Sequence, residues 1–388
     1  MPYDEITTLD YWLDGVNEET KSPVEVSGLF TYTYPFSYRG ERQKVVIHIS
    51  HELYQWAKDE HVKKQKVSRA PKNFILERLS AAEQTPVYDE LLGELRRIRD
   101  YYHLDEDEYL ELIVYFVQKC IWYDGKKRRQ FLANTSLTAE NFNSYLFGDA
   151  DITLAQRFPV ETLVEGRGMC LEKSMLLAAL LSREGYAAAI FLFRCGLHAA
   201  VGVRVPVSYG LGYFAHDGEG ATYVYIEPTE KAYVGDCSYV ERENPPTAII
   251  EVGNGEKEYQ SMGMMSKILH YKQQLIEKIK LADGRSKKLE LDLTKYRVNS
   301  ESLEKQLREL GKKMTEVQGD DFDRLYSEFS EMFKKRDICV SRMREMRGEC
   351  MHLWGETEHD KGVLEFIWDN VDDKKKVIEG IGEEDEED

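Results

Sequence analysis

The cysteine in the most suggestive chemical setting is Cys170, which follows the turn Gly166-Arg167-Gly168 within GMCLEKSMLLAALLSREG. This stretch is apolar nearly all round, which predicts a buried helix ended by Gly185. A thiol at a helix start faces unpaired N–H groups and the positive end of the helix dipole, and both favour the thiolate. The same N–H groups can stabilise an oxyanion on an attacked carbonyl. Cys170 is therefore a candidate nucleophile.

A nucleophilic thiol needs a base, and the segments that follow offer a histidine and an acid. His198 lies in LHAAVGV, a predicted strand on which His198, Ala200 and Gly202 share one face, so the imidazole has small neighbours. Glu227 ends the predicted strand YVYIEP, where a carboxylate can fix the tautomer of a histidine. Each of these residues alone is more often structural. Their ordered combination indicates a catalytic site.

Three segments carry a resemblance to a known family: PVETLVEGRGMCLEKSMLLAALLSREGYAAAIFLF, LHAAVGV and YVYIEPT. They resemble the transglutaminase-like superfamily of papain-type cysteine enzymes, and FVQKCIWYD resembles the helix before the core in microbial members. The resemblance covers residues 105–240 and implies an α+β fold, with a helix bearing the cysteine at its N-terminus packed on an antiparallel sheet. It also implies that Cys170 is the nucleophile, His198 the general base and acid, and Glu227 the orienting acid. No metal or other cofactor is expected.

The chain departs from the family pattern at two positions. Members often have Gly-Asp-Cys before the helix, where this chain has Met169, and their third catalytic residue is usually aspartate, where this chain has the longer Glu227. A second oxyanion donor, supplied upstream in many relatives, is not identifiable from the sequence, and Gln156 and Trp122 are its candidates.

The resemblance implies an enzyme that acts on peptide or side-chain amide bonds through a thioester, as a protease, amidase or acyltransferase. Its substrate would be a protein or peptide. Hydrolysis and transfer differ in whether water or an amine reaches the thioester, and the sequence does not separate them. The peptide N-glycanase branch is disfavoured, because its members carry zinc-binding cysteine pairs and no CxxC occurs here.

Two alternatives stay open at this point. The first is a catalytically weak or inactive transglutaminase-like binding module with a coiled-coil scaffold, which the departures at Met169 and Glu227 favour. The second is metal binding, because Cys195-x-x-His198 has the spacing of ligands and Cys170 or Cys237 could complete a site.

The C-terminal third follows a heptad pattern. Alternating steps of three and four from Met265 to Val317 visit sixteen positions, of which thirteen are apolar or Tyr. A second such seam runs from Phe322 to Leu353, and Gly319-Asp320-Asp321 separates the two. The pattern predicts an antiparallel coiled-coil hairpin, which could bind a protein partner or a second copy of the chain.

The N-terminal region predicts a β-hairpin over residues 29–49, whose aromatic stripe Phe30, Tyr32, Tyr34, Phe36 and Tyr38 would face the core. Pro35 would place the first strand at a sheet edge. Four regions are thus predicted: a hairpin and helix subdomain (1–85), a transglutaminase-like core (86–255), a coiled-coil hairpin (256–355), and a short helix with an acidic disordered tail (356–388).

Composition narrows the possible partners. The 388 residues carry a net charge of −18 and no basic tract, which disfavours nucleic acid as a partner. The longest apolar run, Met175–Leu181, is far too short to span a membrane, and the N-terminus lacks the pattern of a signal peptide. A cytoplasmic location is expected. Six cysteines in a chain of this length do not form a disulfide scaffold.

Overall fold

The structure is a computed structural model that describes residues 24–26, 28–64, 71–133, 156–193, 198–206, 210–218, 220–237 and 242–384. The chain divides into two compact units. The first comprises Met1–His270 with Trp368–Asp388, and the second comprises Tyr271–Ile367.

A three-stranded antiparallel sheet opens the first unit. Its strands are, in order, β1 (Val24–Val26), β2 (Leu29–Tyr38) and β3 (Glu41–Ser50). The predicted hairpin is confirmed, and of its aromatic stripe Tyr34, Phe36 and Tyr38 are buried. The edge position expected from Pro35 is wrong for β2, which lies between two strands. Proline is tolerated there because β1 pairs only with Leu29–Thr31 and does not reach Pro35.

Helices occupy the next part of the first unit. They are α1 (His51–Lys64), α2 (Pro71–Leu79), α3 (Thr85–Tyr102), α4 (Glu106–Cys120), α5 (Gly125–Ala133), α6 (Pro159–Glu165) and α7 (Cys170–Arg183). In the sequence, Asp105 stands just before the apolar-periodic run of α4, which predicts an N-cap there, and this is confirmed. The carboxylate of Asp105 accepts from the Glu108 N–H at 2.8 Å, and the carboxylate of Glu108 accepts from the Asp105 N–H at 3.1 Å.

Two further groups of strands complete the first unit. They are the parallel pair β4 (Trp122–Tyr123) and β5 (Arg167–Gly168), and the sheet strands β6 (Ala188–Phe193), β7 (His198–Arg204), β8 (Phe214–His216), β9 (Thr222–Ile226) and β10 (Ala248–Val252). The five sheet strands lie in the order β10-β6-β7-β9-β8, and every neighbouring pair is antiparallel. The predicted α+β class with an antiparallel sheet is confirmed.

The segment between β7 and β9, VSYGLGYFAHDGEG, has four glycines, which predict an exposed loop. Its described part instead contains the edge strand β8 and buries Tyr213 and Ala215. The ring of Tyr213 lies against the rings of Phe193 and Tyr225, with centroids 6.2 and 5.8 Å away. Tyr213 and Ala215 are two residues apart and both are buried, an alternation that fits the short strand β8 and that the glycines obscure in the sequence.

Helix α7 packs on β6 and β7 of the sheet and is buried from Cys170 to Leu181. Gly185 follows it with φ +86°, as its sequence position predicts. On β7, a Cβ at Gly202 would lie 2.4 Å from the ring of Phe191, so only glycine fits where this ring crosses the strand. The packing of Phe191 therefore requires glycine at position 202 of β7, the strand that begins with His198.

The second unit is built from two long helices, although both extend beyond it. They are α8 (Met262–Met314) and α9 (Asp320–Asp369), separated by a turn in which Gly319 has φ +64°. Arg285 pairs with Glu349, and Tyr296 bonds Arg342. Because residues further along α8 meet residues earlier in α9, the helices lie antiparallel.

The side chains on the two predicted seams are shielded from solvent, with one exception. Phe322 is 38% exposed, and the other seam positions are buried or half-buried. Helix α9 continues sixteen residues beyond Leu353, the last predicted seam position.

A short helix, α10 (Lys374–Glu384), ends the described chain. The rest of the predicted acidic tail, residues 385–388, lies outside the described residues. Throughout the described ranges, the helices lack a stretch long and apolar enough to cross a bilayer.

Candidate active site

The segment before Cys170 is held in place by β-pairing. Trp122 and Tyr123 of β4 pair with Arg167 and Gly168 of β5, so residues far upstream fix the turn that delivers the cysteine. The Trp122 N–H donates to the Gly166 carbonyl at 2.8 Å. Cys170 then begins α7 and is buried. The predicted helix-start position of the thiol is confirmed.

A buried ionic cluster anchors the same turn. The carboxylate of Glu172, which is fully buried, accepts from the Met169 N–H at 2.8 Å and from Lys127 Nζ at 2.5 Å. The backbone N–H of Arg157 donates a hydrogen bond to that carboxylate at 2.9 Å, and the Arg157 guanidinium donates one to the Asp124 carboxylate at 3.1 Å. Burial alone would raise the pKa of Glu172, but the charges of Lys127 and Arg157 hold it below its ordinary value. The cluster therefore ties α5 and the Cys170 turn together through a carboxylate that stays charged.

The structure brings the three predicted site residues together. His198, the first residue of β7, places Nε2 2.9 Å from Oε2 of Glu227. The thiol of Cys170 makes a side-chain hydrogen bond with the His198 ring. Because Nε2 is occupied by the carboxylate, Nδ1 is the nitrogen left for the sulfur. The order of contacts is cysteine, histidine, glutamate.

The Glu227 carboxylate, which follows β9 directly, is held at both oxygens. Oε2 also accepts from the Tyr225 hydroxyl at 2.5 Å, and Oε1 accepts from the Thr229 N–H at 2.8 Å and from the Thr229 hydroxyl. Gln118 of α4 donates to the Glu227 carbonyl at 2.7 Å and so fixes the backbone as well. Burial alone would raise the pKa of this carboxyl, but the charge of His198 and these hydrogen bonds lower it to about 2.

The electrostatics of the cysteine and histidine favour an ion pair. Burial opposes charge on both, yet the hydrogen bond and charge of His198 lower the pKa of Cys170 below its ordinary value. Glu227, followed by the bond to Cys170, raises the pKa of His198 well above its usual range. Arg128 of α5 also lowers the pKa of Cys170. A thiolate facing an imidazolium is the state that these interactions favour.

Several residues of the site could not be identified from the sequence. Tyr225, Thr229 and Gln118 hold Glu227, and the buried Lys173 of α7 bonds the carbonyls of residues 121 and 229. One signal was present in the sequence: Glu172 and Lys173 are opposite charges in the first turn of a helix that is apolar without interruption from Met175 to Leu181. Such charges must find partners when the helix is buried.

The two candidate oxyanion donors lie in different surroundings. Trp122 belongs to β4, beside the turn before Cys170, and its side chain is 38% exposed. The backbone carbonyl of Gln156 accepts from Arg78 Nε at 3.2 Å, and the Gln156 side chain is buried. The described contacts thus connect Trp122 with the cysteine turn and Gln156 with Arg78.

The metal alternative gains no support from the described residues. They contain no cluster of three or more His, Cys, Asp and Glu side chains placed to hold a metal ion. Cys195, on which that reading depends, lies outside the described residues.

Comparisons of the chain with protein-family models, with curated proteins and with solved structures found no match in any of the three. The chemistry of the site is therefore argued from its geometry. A thiol at a helix start, bonded to a histidine that a buried carboxylate orients, is suited to attack on a carbonyl carbon.

Proposed function

We propose that the chain is a transglutaminase-like cysteine enzyme that acts on peptide or side-chain amide bonds through a thioester on Cys170. The observation that carries the proposal is the continuous set of hydrogen bonds from Cys170 through His198 to Glu227. Support also comes from the antiparallel sheet on which α7 packs, which is the arrangement that the motif resemblance implies.

In the first half of the reaction, the Cys170 thiolate attacks the amide carbon, and the carbonyl π electrons move to oxygen. The resulting oxyanion forms at the positive N-terminal end of α7. The His198 imidazolium then gives its proton to the amide nitrogen as the C–N bond breaks. Ammonia or an amine leaves, and the acyl group stays on sulfur as a thioester.

In the second half, neutral His198 accepts a proton from water or from an acceptor amine as that nucleophile attacks the thioester carbon. The C–S bond breaks, the sulfur leaves as a thiolate, and His198 is again an imidazolium. Glu227 stabilises the imidazolium in both halves. Water gives hydrolysis, as in a protease or amidase, and an amine gives acyl transfer.

The two departures from the family pattern are compatible with this chemistry. Met169 supplies no side-chain cap to α7, so its side chain does not compete for the N–H groups of the first turn. Glu227 stands one residue past the end of β9, and Thr229 and Tyr225 hold its longer side chain against His198.

Trapping the thioester tests the proposal. The protein would be incubated with synthetic peptides containing Gln, Asn and ordinary peptide bonds, quenched in acid and mapped by mass spectrometry. We expect an acyl adduct on Cys170 that hydroxylamine removes and that is absent from Cys170→Ser. A fluorescent primary amine added to the mixture separates transfer from hydrolysis. No adduct and no product over a broad peptide set would contradict the proposal.

A second candidate function is favoured by one observation on the second unit. Large apolar side chains stand exposed on its two helices: Leu281, Leu291, Val298, Tyr326, Ile338, Met351 and Trp354. In this alternative, α8 and α9 form a coiled-coil scaffold for a protein partner or a second copy, and the first unit is an inactive binding module. A folded protein whose Cys170 is chemically inert would favour it.

A further inference from the structure

Lys173 is a buried lysine that the triad chemistry does not use. It lies on α7 one turn after Cys170 and is fully buried. Its Nζ donates to the Ile121 carbonyl at 2.5 Å and lies 3.4 Å from the Thr229 carbonyl. A lysine is seldom fully buried in a fold, and this one reaches two separate segments of the site.

Both acceptors belong to segments that build the site. Ile121 directly precedes β4, which pairs with the turn before Cys170. Thr229 holds Oε1 of Glu227 with its N–H and its hydroxyl. Lys173 therefore joins the helix of the nucleophile to the loop that fixes the orienting acid.

The contacts form a closed ring. It runs from Cys170 to His198, from His198 to Glu227, from Glu227 to Thr229, and from Thr229 to Lys173, which returns to α7. We propose that Lys173 is a positioning residue of the site, which sets the Glu227 loop at the distance from α7 at which His198 bonds both the acid and the thiol. This inference rests on the proposed function of Cys170 and His198.

The electrostatics of the lysine agree with this geometry. Burial lowers the pKa of Lys173 to about 7, while the negative charges of Glu227 and Glu230 oppose that shift. Burying an amine at this position therefore lowers the free energy of unfolding relative to an apolar side chain in the same space. Methionine has nearly the same length and no hydrogen to donate, so Lys173→Met is expected to fold.

The test measures the rate of Cys170 alkylation by iodoacetamide against pH, by peptide mapping, with thermal unfolding as a check on folding. In Lys173→Met we expect the inflection of the profile to move upward by about one pH unit, which lowers the rate near pH 6.5 about tenfold. Lys374→Met is the matched control. Lys374 is buried like Lys173, although its partner is a carboxylate, that of Glu111 at 2.6 Å. It lies outside the ring, so the profile should not move.

A purely structural role for Lys173 predicts a different alkylation rate when Lys173→Met is combined with His198→Ala. If Lys173 acts through the histidine, adding Lys173→Met to His198→Ala should leave the alkylation rate unchanged. A further fall in the double variant, or an unshifted profile in folded Lys173→Met, would overturn the proposal. If Lys173→Met does not fold, Lys173→Gln carries the same expectation, and failure of both to fold would make the lysine structural and also overturn it.

The outcomes separate this inference from the proposed function. Wild-type protein in which Cys170 reacts no faster than the other cysteines contradicts the proposed function itself. A fast Cys170 in the wild type together with an unchanged Lys173→Met profile contradicts only the role of the lysine.

Discussion

Glu227 Oε2 lies 2.9 Å from Nε2 of His198, while Oε1 of the same carboxylate is held by Thr229, two residues later in the chain. The acid is thus fixed locally on one side and orients the imidazole on the other. The side chain of Glu227 is one methylene longer than that of aspartate, and in this arrangement it contacts both Thr229 and His198. The proposed reactivity of Cys170 therefore depends on the hydrogen bonds of Glu227.

Glu227→Gln should make Cys170 less reactive. The amide cannot stabilise the imidazolium, so the pKa of His198 should fall and that of Cys170 should rise. The rate of iodoacetamide alkylation near pH 6.5 should drop at least about tenfold, since one pKa unit is a tenfold change in thiolate. Glu251→Gln is the control, because Glu251 accepts from the Tyr223 hydroxyl on the same sheet but lies outside the triad. Equal rates in Glu227→Gln and wild type would exclude the orienting role.

The same acid should contribute to stability above its unfolded pKa. Its pKa is about 2 in the folded protein and 4.5 ordinarily, so its contribution is complete above pH 4.5 and is lost as the pH falls toward 2. That contribution is about 3 kcal/mol. Between pH 6 and pH 3, the free energy of unfolding in urea should fall about 2 kcal/mol more for wild type than for Glu227→Gln. Parallel losses in the two proteins would contradict the depressed pKa.

Glu172→Gln tests the ionic cluster beneath the cysteine turn. Removing this fully buried charge leaves Lys127 and Arg157 without a partner that they share, which should cost about 3 kcal/mol in the free energy of unfolding. The matched control is Glu94→Gln, whose partner Arg97 is exposed, and it should change stability by less than about 0.5 kcal/mol. Similar losses in both variants, measured by urea unfolding, would show that the cluster does not anchor the turn.

Leu307→Ala tests the seam of α8. Leu307 is 8% exposed, so truncation should loosen the local packing by about 2 kcal/mol and speed amide hydrogen exchange in α8 near residue 307. Leu291 lies on the same helix but is 65% exposed, so Leu291→Ala should leave exchange unchanged. If the two variants exchange alike, the predicted seam is not what holds the helices.

Local patterns in the sequence were sufficient to predict the elements that carry the triad. The helix start at Cys170, the strand of His198 and the strand-end position of Glu227 follow from apolar periodicity and glycine placement, which are local properties. The N-cap at Asp105 and the break at Gly319 follow in the same way.

Features that depend on distant parts of the chain could not be predicted. The partners of Glu172 come from Lys127 and Arg157, and those of Lys173 from residues 121 and 229, so their pairing is decided by tertiary packing. The strand β8 was hidden because its glycine-rich flanks are typical of loops. No periodicity in a sequence indicates which buried carbonyl a lysine will reach.

The most direct test of the central claim compares the alkylation rates of all six cysteines at pH 7 with substoichiometric iodoacetamide, followed by peptide mapping. We predict that Cys170 reacts first although it is buried, while Cys339 and Cys350 are half-exposed, and that Cys120, whose pKa burial raises, stays unmodified. His198→Ala should abolish the lead of Cys170. Earlier reaction of Cys339 or Cys350, or a Cys170 rate that does not depend on His198, would contradict the assignment of Cys170 as the nucleophile.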